Sequence, residues 1–248
     1  MGSVKDSFMN TDTAPLVSVI IPVHEHAEEL VVCLKSLEKQ TYQPIEIVIV
    51  DDGSTDHPME RLSRETFGLT YESMILEKNS GAPVARNEGF KRSHGTFVLF
   101  LDADTVMPPN AIAEMVRALE AHPDVAFVYS ELFYGWKRFP VVPFDADKLR
   151  KMNYIDTSSM LRRDAFPGFD PSLKKFNDWD VWLTVVERGG KGFAIDQPLI
   201  HKATRMNHYS RWLPSIVHRL PWPVFGWMPS EVWRYRQAKA IIQQKHGL

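Results

Sequence analysis

Three short apolar runs, two of which close on carboxylates, constrain this chain more than any other feature. They are Val17–Ser18–Val19–Ile20–Ile21, Ile45–Glu46–Ile47–Val48–Ile49–Val50 and Thr96–Phe97–Val98–Leu99–Phe100–Leu101. Runs this short, β-branched and nearly continuous suit strands buried on both faces of a parallel sheet. Between them, apolar residues recur at helical spacing. Ala27, Leu30, Val31, Leu34 and Leu37 share one helix face. A second helix is predicted over residues 82–93. A third follows Pro108–Pro109, with Ile112, Met115, Val116 and Leu119 inward. Residues 124–129 read as a further strand. The order predicts an α/β fold, a Rossmann-like three-layer α/β/α sandwich on a mostly parallel central sheet.

The second half is less regular. A short helix is expected within 145–154, a strand within 157–162, and an amphipathic helix over 178–188 closed by Gly189–Gly190. Residues 201–248 hold eight Lys or Arg against one acid, Glu231, which is +7; the whole chain carries −2, so residues 1–200 carry −9. This segment is also rich in aromatics. It reads as a basic extension suited to a lipid-phosphate headgroup, an acidic glycan or nucleic acid, or as a lobe packed on the domain. The near-neutral total excludes a globally basic nucleic-acid binder. The lone cysteine, Cys33, excludes an internal disulfide framework and reads as a buried thiol. Residues 1–15 read as a disordered lead-in, residues 16–105 as a nucleotide-binding half, and residues 106–200 as an acceptor-side half. No apolar stretch is long enough to span a bilayer. The expectation is a cytoplasmic protein, with peripheral contact at the inner membrane surface left open.

Open parallel sheets bind ligands beyond the carboxyl ends of their strands. Asp51–Asp52–Gly53–Ser54 ends the second run there, and Asp102–Ala103–Asp104 ends the third. Residues i and i+2 of an extended segment point the same way, so Asp102 and Asp104 can address one site. Two such carboxylates suit a hard cation, Mg²⁺ or Mn²⁺, with a diphosphate supplying other ligands. Acids after strands also serve as turn formers and helix caps. Two such clusters in register favour chemistry over that plainer reading.

In these segments the chain resembles the family 2 glycosyltransferases with the GT-A fold. The matching residues begin with Val17–Ser18–Val19–Ile20–Ile21–Pro22 and Val50–Asp51–Asp52–Gly53–Ser54–Thr55–Asp56. They continue with Gly81–Ala82–Pro83–Val84–Ala85–Arg86–Asn87–Glu88–Gly89 and Leu101–Asp102–Ala103–Asp104, and end with Asn177–Asp178–Trp179–Asp180–Val181–Trp182–Leu183. The resemblance implies an inverting transfer of one sugar from a UDP-sugar or other nucleotide sugar to an acceptor hydroxyl on a glycan, a glycolipid or another molecule, nucleic acid included. It implies that Pro22, His24 and Glu25 line the base and ribose pocket, and that Asp52 accepts a hydrogen bond from the base. Gly81, Arg86 and Asn87 would lie along the donor cleft. Asp102, Ala103 and Asp104 would form the DXD segment, Asp104 being the firmer metal ligand. Asp178 would be the catalytic base, with Trp179 and Asp180 on the acceptor side.

Helix geometry supports Asp178 separately. At about 100° per residue it projects inward with Val181, Trp182, Val185 and Val186, while Asp180 projects the other way with Thr184 and Glu187. The chain departs from the family pattern in three places. It has His24–Glu25 where many relatives read Tyr-Asn, and Asn177 where Glu is usual. Many relatives also carry a late metal-holding His, for which His201 and His208 are the candidates. Two other readings are a sugar nucleotidyltransferase and a non-catalytic nucleotide-sugar-binding module. The first usually needs a Gly-rich loop after the first strand, and residues 22–29 contain no glycine. The second does not account for the retained acids.

Overall fold

A computed structural model describes residues 14–203 and 230–248. The first half of the described chain alternates strand and helix as expected. Strand β1 (Val17–Val23) is buried along its whole length. It is followed by α1 (Ala27–Leu37), β2 (Ile45–Asp51), α2 (Pro58–Ser63), β3 (Glu72–Ile75), α3 (Ala82–Arg92) and β4 (Phe97–Phe100). The strands β3, β2, β1 and β4 lie side by side in that order, and all three pairings are parallel. All three chemistry-bearing strand ends therefore point to one edge.

The rest of the described chain extends this sheet. It comprises β5 (Thr105–Val106), α4 (Ala111–Ala121), β6 (Phe127–Tyr134), β7 (Lys137–Phe139), α5 (Ala146–Lys151), β8 (Met160–Arg162), α6 (Asn177–Glu187), β9 (Gly192–Lys202) and α7 (Ser230–Lys245). β8 runs antiparallel between β4 and β6, β9 runs parallel to β6, and β5 closes the sheet antiparallel to β9. Helices cover both faces. One core packs α1 and α4 onto the sheet through Leu30, Leu34, Ile112 and Met115; the other packs α6 through Trp179, Trp182 and Val185. The mixed α/β sandwich expected from the sequence is the fold observed. Cys33 is buried in the first core, and burial pushes its thiol up.

Several boundaries moved for local reasons. The strand expected over 157–162 is only β8. Asp156 turns the chain ahead of it, accepting from the Ser158 N–H at 2.8 Å while its carbonyl accepts from Ser159 Oγ at 2.6 Å. β9 did not stand out in the sequence because Pro198 interrupts it and its register against β6 shifts at Ser130 and Glu131. It runs to Lys202, across the boundary expected at 200. α7, in the basic extension, rests on α6. Val232 and Ile242 are fully buried, and Tyr235 meets Phe176 edge-on at 5.2 Å. Among the described residues no helix is long and apolar enough to cross a membrane.

Candidate active site

The ends of β1, β2 and β4 and the start of α3 enclose a cleft of about 210 Å³. Pro22, His24, Asp52, Arg86, Asp102, Ala103 and Asp104 line it, together with Val23, His26 and Ala82. Seven sequence-predicted positions thus converge, drawn from segments some 80 residues apart. Both acidic clusters reach the one cavity.

The β2 side is built around Asp52, whose N–H donates to the Val23 carbonyl at 2.8 Å. Its carboxylate accepts from the Ser80 N–H at 2.7 Å and the Gly81 N–H at 2.8 Å. Gly81 caps α3 at φ +93, a conformation open to glycine and strained for other residues. Asp52 is 2% exposed and sits beside the positive end of α3. His24 lies between two neighbours: Asn79 Nδ2 at 2.8 Å from its Nε2, and the Asp52 carbonyl at 3.0 Å from its Nδ1. A neutral ring protonated on Nδ1 satisfies both.

α3 lies close on the sheet. A Cβ at Gly89 would come within 2.4 Å of the Ile20 side chain. That approach brings Arg86 to the strand ends. Its Nη2 donates to Asp102 Oδ1 at 2.7 Å and its Nη1 to Asn177 Oδ1 at 3.2 Å. Its guanidinium lies 5.2 Å from the Phe169 ring centroid, within cation–π range. The buried Arg86 Nε has no partner among the described residues. Spare donor capacity at a cleft suits an anionic ligand.

Asp102 has a second cation. Lys202, from the end of β9, donates to Asp102 Oδ2 at 2.9 Å and to Asp156 Oδ2 at 2.9 Å. Burial pushes the Asp102 carboxyl up, but the Lys202 and Arg86 charges and hydrogen bonds overcome this and hold it well below the usual range. Burial likewise opposes the charge on Lys202, and its two carboxylates more than restore it.

Asp178 lies in the first turn of α6. It accepts from Asn153 Nδ2 at 3.0 Å and from the Trp179 N–H at 2.8 Å. The N-cap residue, Phe176, makes no side-chain capping bond; Asp178 takes one first-turn N–H with Oδ1 and meets Asn153 with Oδ2. Burial pushes its carboxyl up, and Asp156 adds to that push. The Asn153 and Trp179 hydrogen bonds and the Arg86 charge only partly offset it.

Other expected positions lie elsewhere. Asn87 does not line the cleft; its amide clamps the Phe169 backbone, donating to the carbonyl at 2.8 Å and accepting from the N–H at 2.9 Å. It thereby fixes the ring beneath Arg86. Glu25, at φ 58, accepts from the Thr55 N–H at 2.8 Å and ties down the loop after β2. Trp179, expected on the acceptor side, is 1% exposed and donates to the Leu149 carbonyl at 2.7 Å, making it a core residue. Asp180 does project away from Asp178. Yet it is 3% exposed, because the end of α7 covers it with Lys245 Nζ at 2.8 Å and His246 Nε2 at 2.9 Å. His201 is exposed and stacks on Phe133, at 5.1 Å between ring centroids; alternation along β9 turns its neighbour Lys202 toward Asp102 instead. His208 lies outside the described residues.

Lys202, Asp156 and Asn153 were absent from the sequence-based site. Lys202 adjoins His201, and its inward direction is set by the pairing of β9 with β5. Asp156 and Asn153 follow a weak helix signal, where position along the chain says little about direction in space.

The donor set suits a hard cation only in part. Among the described residues no three or more His, Cys, Asp or Glu gather to hold a metal. Asp104 and Asp102 would supply oxygens of the right kind, and a diphosphate and water would have to complete the shell.

The model for glycosyl transferase family 2 matches residues 18–169. The chain belongs to that family. The O-antigen biosynthesis protein RfbC of Myxococcus xanthus is 31% identical over 199 residues, 75% of this chain and 16% of that protein. The uncharacterized glycosyltransferase YwdF of Bacillus subtilis (strain 168) is 32% identical over 194 residues, 72% of this chain and 69% of that protein. The chain therefore spans only a small part of the first relative and about two thirds of the second. Two solved structures share the fold. S. aureus TarS 1-349 in complex with UDP-GlcNAc has a TM-score of 0.66 at 18% identity, covering 82% of this chain and 64% of that one. The mannosyltransferase PcManGT from Pyrobaculum calidifontis, in complex with GDP-Man and Mn²⁺, has a TM-score of 0.65 at 21% identity, covering 79% and 59%.

Proposed function

We propose that this family 2 member is an inverting, metal-dependent glycosyltransferase that moves one sugar from a UDP-linked donor to an acceptor hydroxyl. The observation that carries the reading is the meeting of Asp52 and the Asp102–Asp104 segment in one cleft, tied through Arg86 and Asn177 to the helix that presents Asp178. The donors named for TarS and PcManGT support a nucleotide sugar as substrate.

In this reading Pro22 and His24 flank the nucleoside, and Asp52 accepts from the base. Each Asp52 oxygen already takes one N–H and keeps a second lone pair for that bond. Arg86 lines the cleft beside Asp102 and would set its positive charge against the diphosphate. Mn²⁺ or Mg²⁺ held by Asp104, with Asp102 beside it, would offset charge on the departing diphosphate. Asp178 takes the proton of the acceptor hydroxyl as that oxygen attacks the anomeric carbon. The nucleoside diphosphate leaves from the opposite face, so the configuration inverts. A carboxyl raised above its ordinary range is a better base than an unperturbed one. Asn177, where relatives carry Glu, accepts from Arg86 and adds no negative charge beside the base.

The acceptor belongs to the glycan and glycolipid class, in keeping with RfbC's name in O-antigen biosynthesis. Residues 201–248 would contribute contact with an anionic surface or polymer. A panel of UDP- and GDP-sugars, read by nucleotide release with and without polyisoprenyl-linked acceptors and Mn²⁺, tests the function. Metal- and acceptor-dependent release of UDP is the expected result. Nucleotide binding without release from any donor would leave a binding module instead.

A further inference from the structure

Before any ligand arrives, Asp102 has a cation on each oxygen. Arg86 Nη2 holds Oδ1 at 2.7 Å and Lys202 Nζ holds Oδ2 at 2.9 Å. Lys202 is not a surface residue that happens to reach inward, since its side chain is 11% exposed. It is brought there by the last pairing of β9, where it stands opposite Thr105, one residue past Asp104. The Ala203 N–H closes the same corner by donating to the Asp104 carbonyl at 3.0 Å. The other partner of Lys202, Asp156 at 2.9 Å, precedes β8 on the acceptor side. A buried ammonium between two carboxylates is costly to move, because it would give up both partners at once.

A divalent cation approaching this segment therefore meets one carboxylate whose charge is already offset, and a fixed positive charge behind it. We propose that Lys202 is a positioning residue that keeps Asp102 from binding a divalent cation by itself, so that the cation is captured only together with the diphosphate of the donor. Lys202 thus couples metal binding to donor binding and limits idle occupancy of the site by free metal. This rests on the reading of Asp102–Asp104 as the metal-side segment of the donor site.

Electron paramagnetic resonance of free Mn²⁺, titrated into the full chain with and without saturating UDP, provides the test. Wild-type protein should bind Mn²⁺ at least roughly tenfold more tightly with UDP than without, as expected when a neighbouring positive charge opposes the cation. Lys202→Met removes that charge, and donor-free Mn²⁺ affinity should rise roughly tenfold, within the range one adjacent charge commands. Lys202→Arg should restore the wild-type dependence on UDP. An unchanged or weaker donor-free affinity in folded Lys202→Met overturns the inference. Should that variant fail to give a cooperative thermal transition, Asp156→Asn decides. With Asp156 neutral, Lys202 is left to Asp102 alone, and donor-free Mn²⁺ affinity should fall about threefold; an unchanged or higher affinity overturns the inference. If wild-type protein takes up no Mn²⁺ even with UDP, the metal reading of the segment fails, and this inference with it. Uptake with UDP that Lys202→Met leaves equally donor-dependent defeats the inference alone.

Discussion

Replacing Asn87 with Ala separates two roles for a residue that the family resemblance places along the donor cleft and the structure places under it. The Asn87 amide satisfies both the N–H and the carbonyl of Phe169, at 2.9 and 2.8 Å. Phe169 is 5% exposed, so water cannot readily take over. Two lost hydrogen bonds that leave buried backbone groups unpaired should cost about 2–3 kcal/mol together. For a chain of this length that corresponds to a fall in melting temperature of roughly 4–12 °C. Arg86 should stay near its place, since Asp102 and Asn177 still hold it, though the Phe169 ring beneath it loosens. UDP affinity should therefore drop by no more than about threefold, a fraction of a kcal/mol. Differential scanning fluorimetry and calorimetry with UDP read the two quantities. A melting temperature within about 2 °C of wild type, well below that expected fall, combined with a large loss of UDP affinity, would refute the clamp and make Asn87 a donor ligand.

Other expectations follow from the same contacts. Asp180→Ala takes one of two carboxylate partners from each of Lys245 and the His246 side chain, which keep Asp170 and Glu187, and should destabilise by about 1–2 kcal/mol, discounted because Lys245 is 39% exposed; a urea midpoint equal to wild type would show that α7 does not rest on this contact. Asp52→Ala frees the Ser80 N–H and leaves the Gly81 N–H to Asn79 alone, so it should lower both folding stability and UDP binding, each by about 1–3 kcal/mol; lost turnover on saturating donor with unchanged affinity would contradict a donor-side role. Asp178 has its carboxyl raised above the ordinary 3.8. Its charged form therefore costs stability above the folded-state pKa, and that cost shrinks as pH falls through the folded value and is gone below 3.8, where folded and unfolded chains are both protonated. Asp178→Asn should accordingly melt higher than wild type at neutral pH and lose that advantage in acid; an advantage independent of pH would show that ionisation is not its source. The same shift places the acid limb of saturated turnover at a higher pH than an ordinary carboxylate would, which a pH–rate profile checks.

The parts of the fold that the sequence displays are those where one physical demand dominates. β1, β2 and β4 are buried on both faces, so burial writes itself as unbroken apolar runs, and Asp52, Asp102 and Asp104 follow directly at their ends. α1, α4 and α6 show their buried stripes for the same reason. β9 obeys several demands at once: it bears Pro198, a register shift and partly exposed residues, and its pattern dissolves. β5 is two residues long and has no pattern to read. The site follows the same rule. Carboxylates at strand ends were legible because strand direction fixes where they point. Lys202, Asp156 and Asn153 reach the site through tertiary pairing alone, and Asp180 reads as an acceptor-side group because the helix that covers it lies some 50 residues further on. Asn87 and Glu25 carry side chains that serve ligands or backbone equally well, and only coordinates separate the two uses.

Saturated sugar transfer by Asp178→Asn, measured beside its UDP affinity, tests the proposed chemistry most directly. The substitution keeps the size of the side chain and, through its one amide oxygen, the bond from the Trp179 N–H; it gives up the bond accepted from Asn153 and removes the group that takes the acceptor's proton. Loss of general-base catalysis should lower turnover roughly 10²–10⁴-fold, with UDP binding in the presence of Mn²⁺ close to wild type. Near-normal transfer at saturating donor and acceptor would contradict the account and remove Asp178 from the reaction.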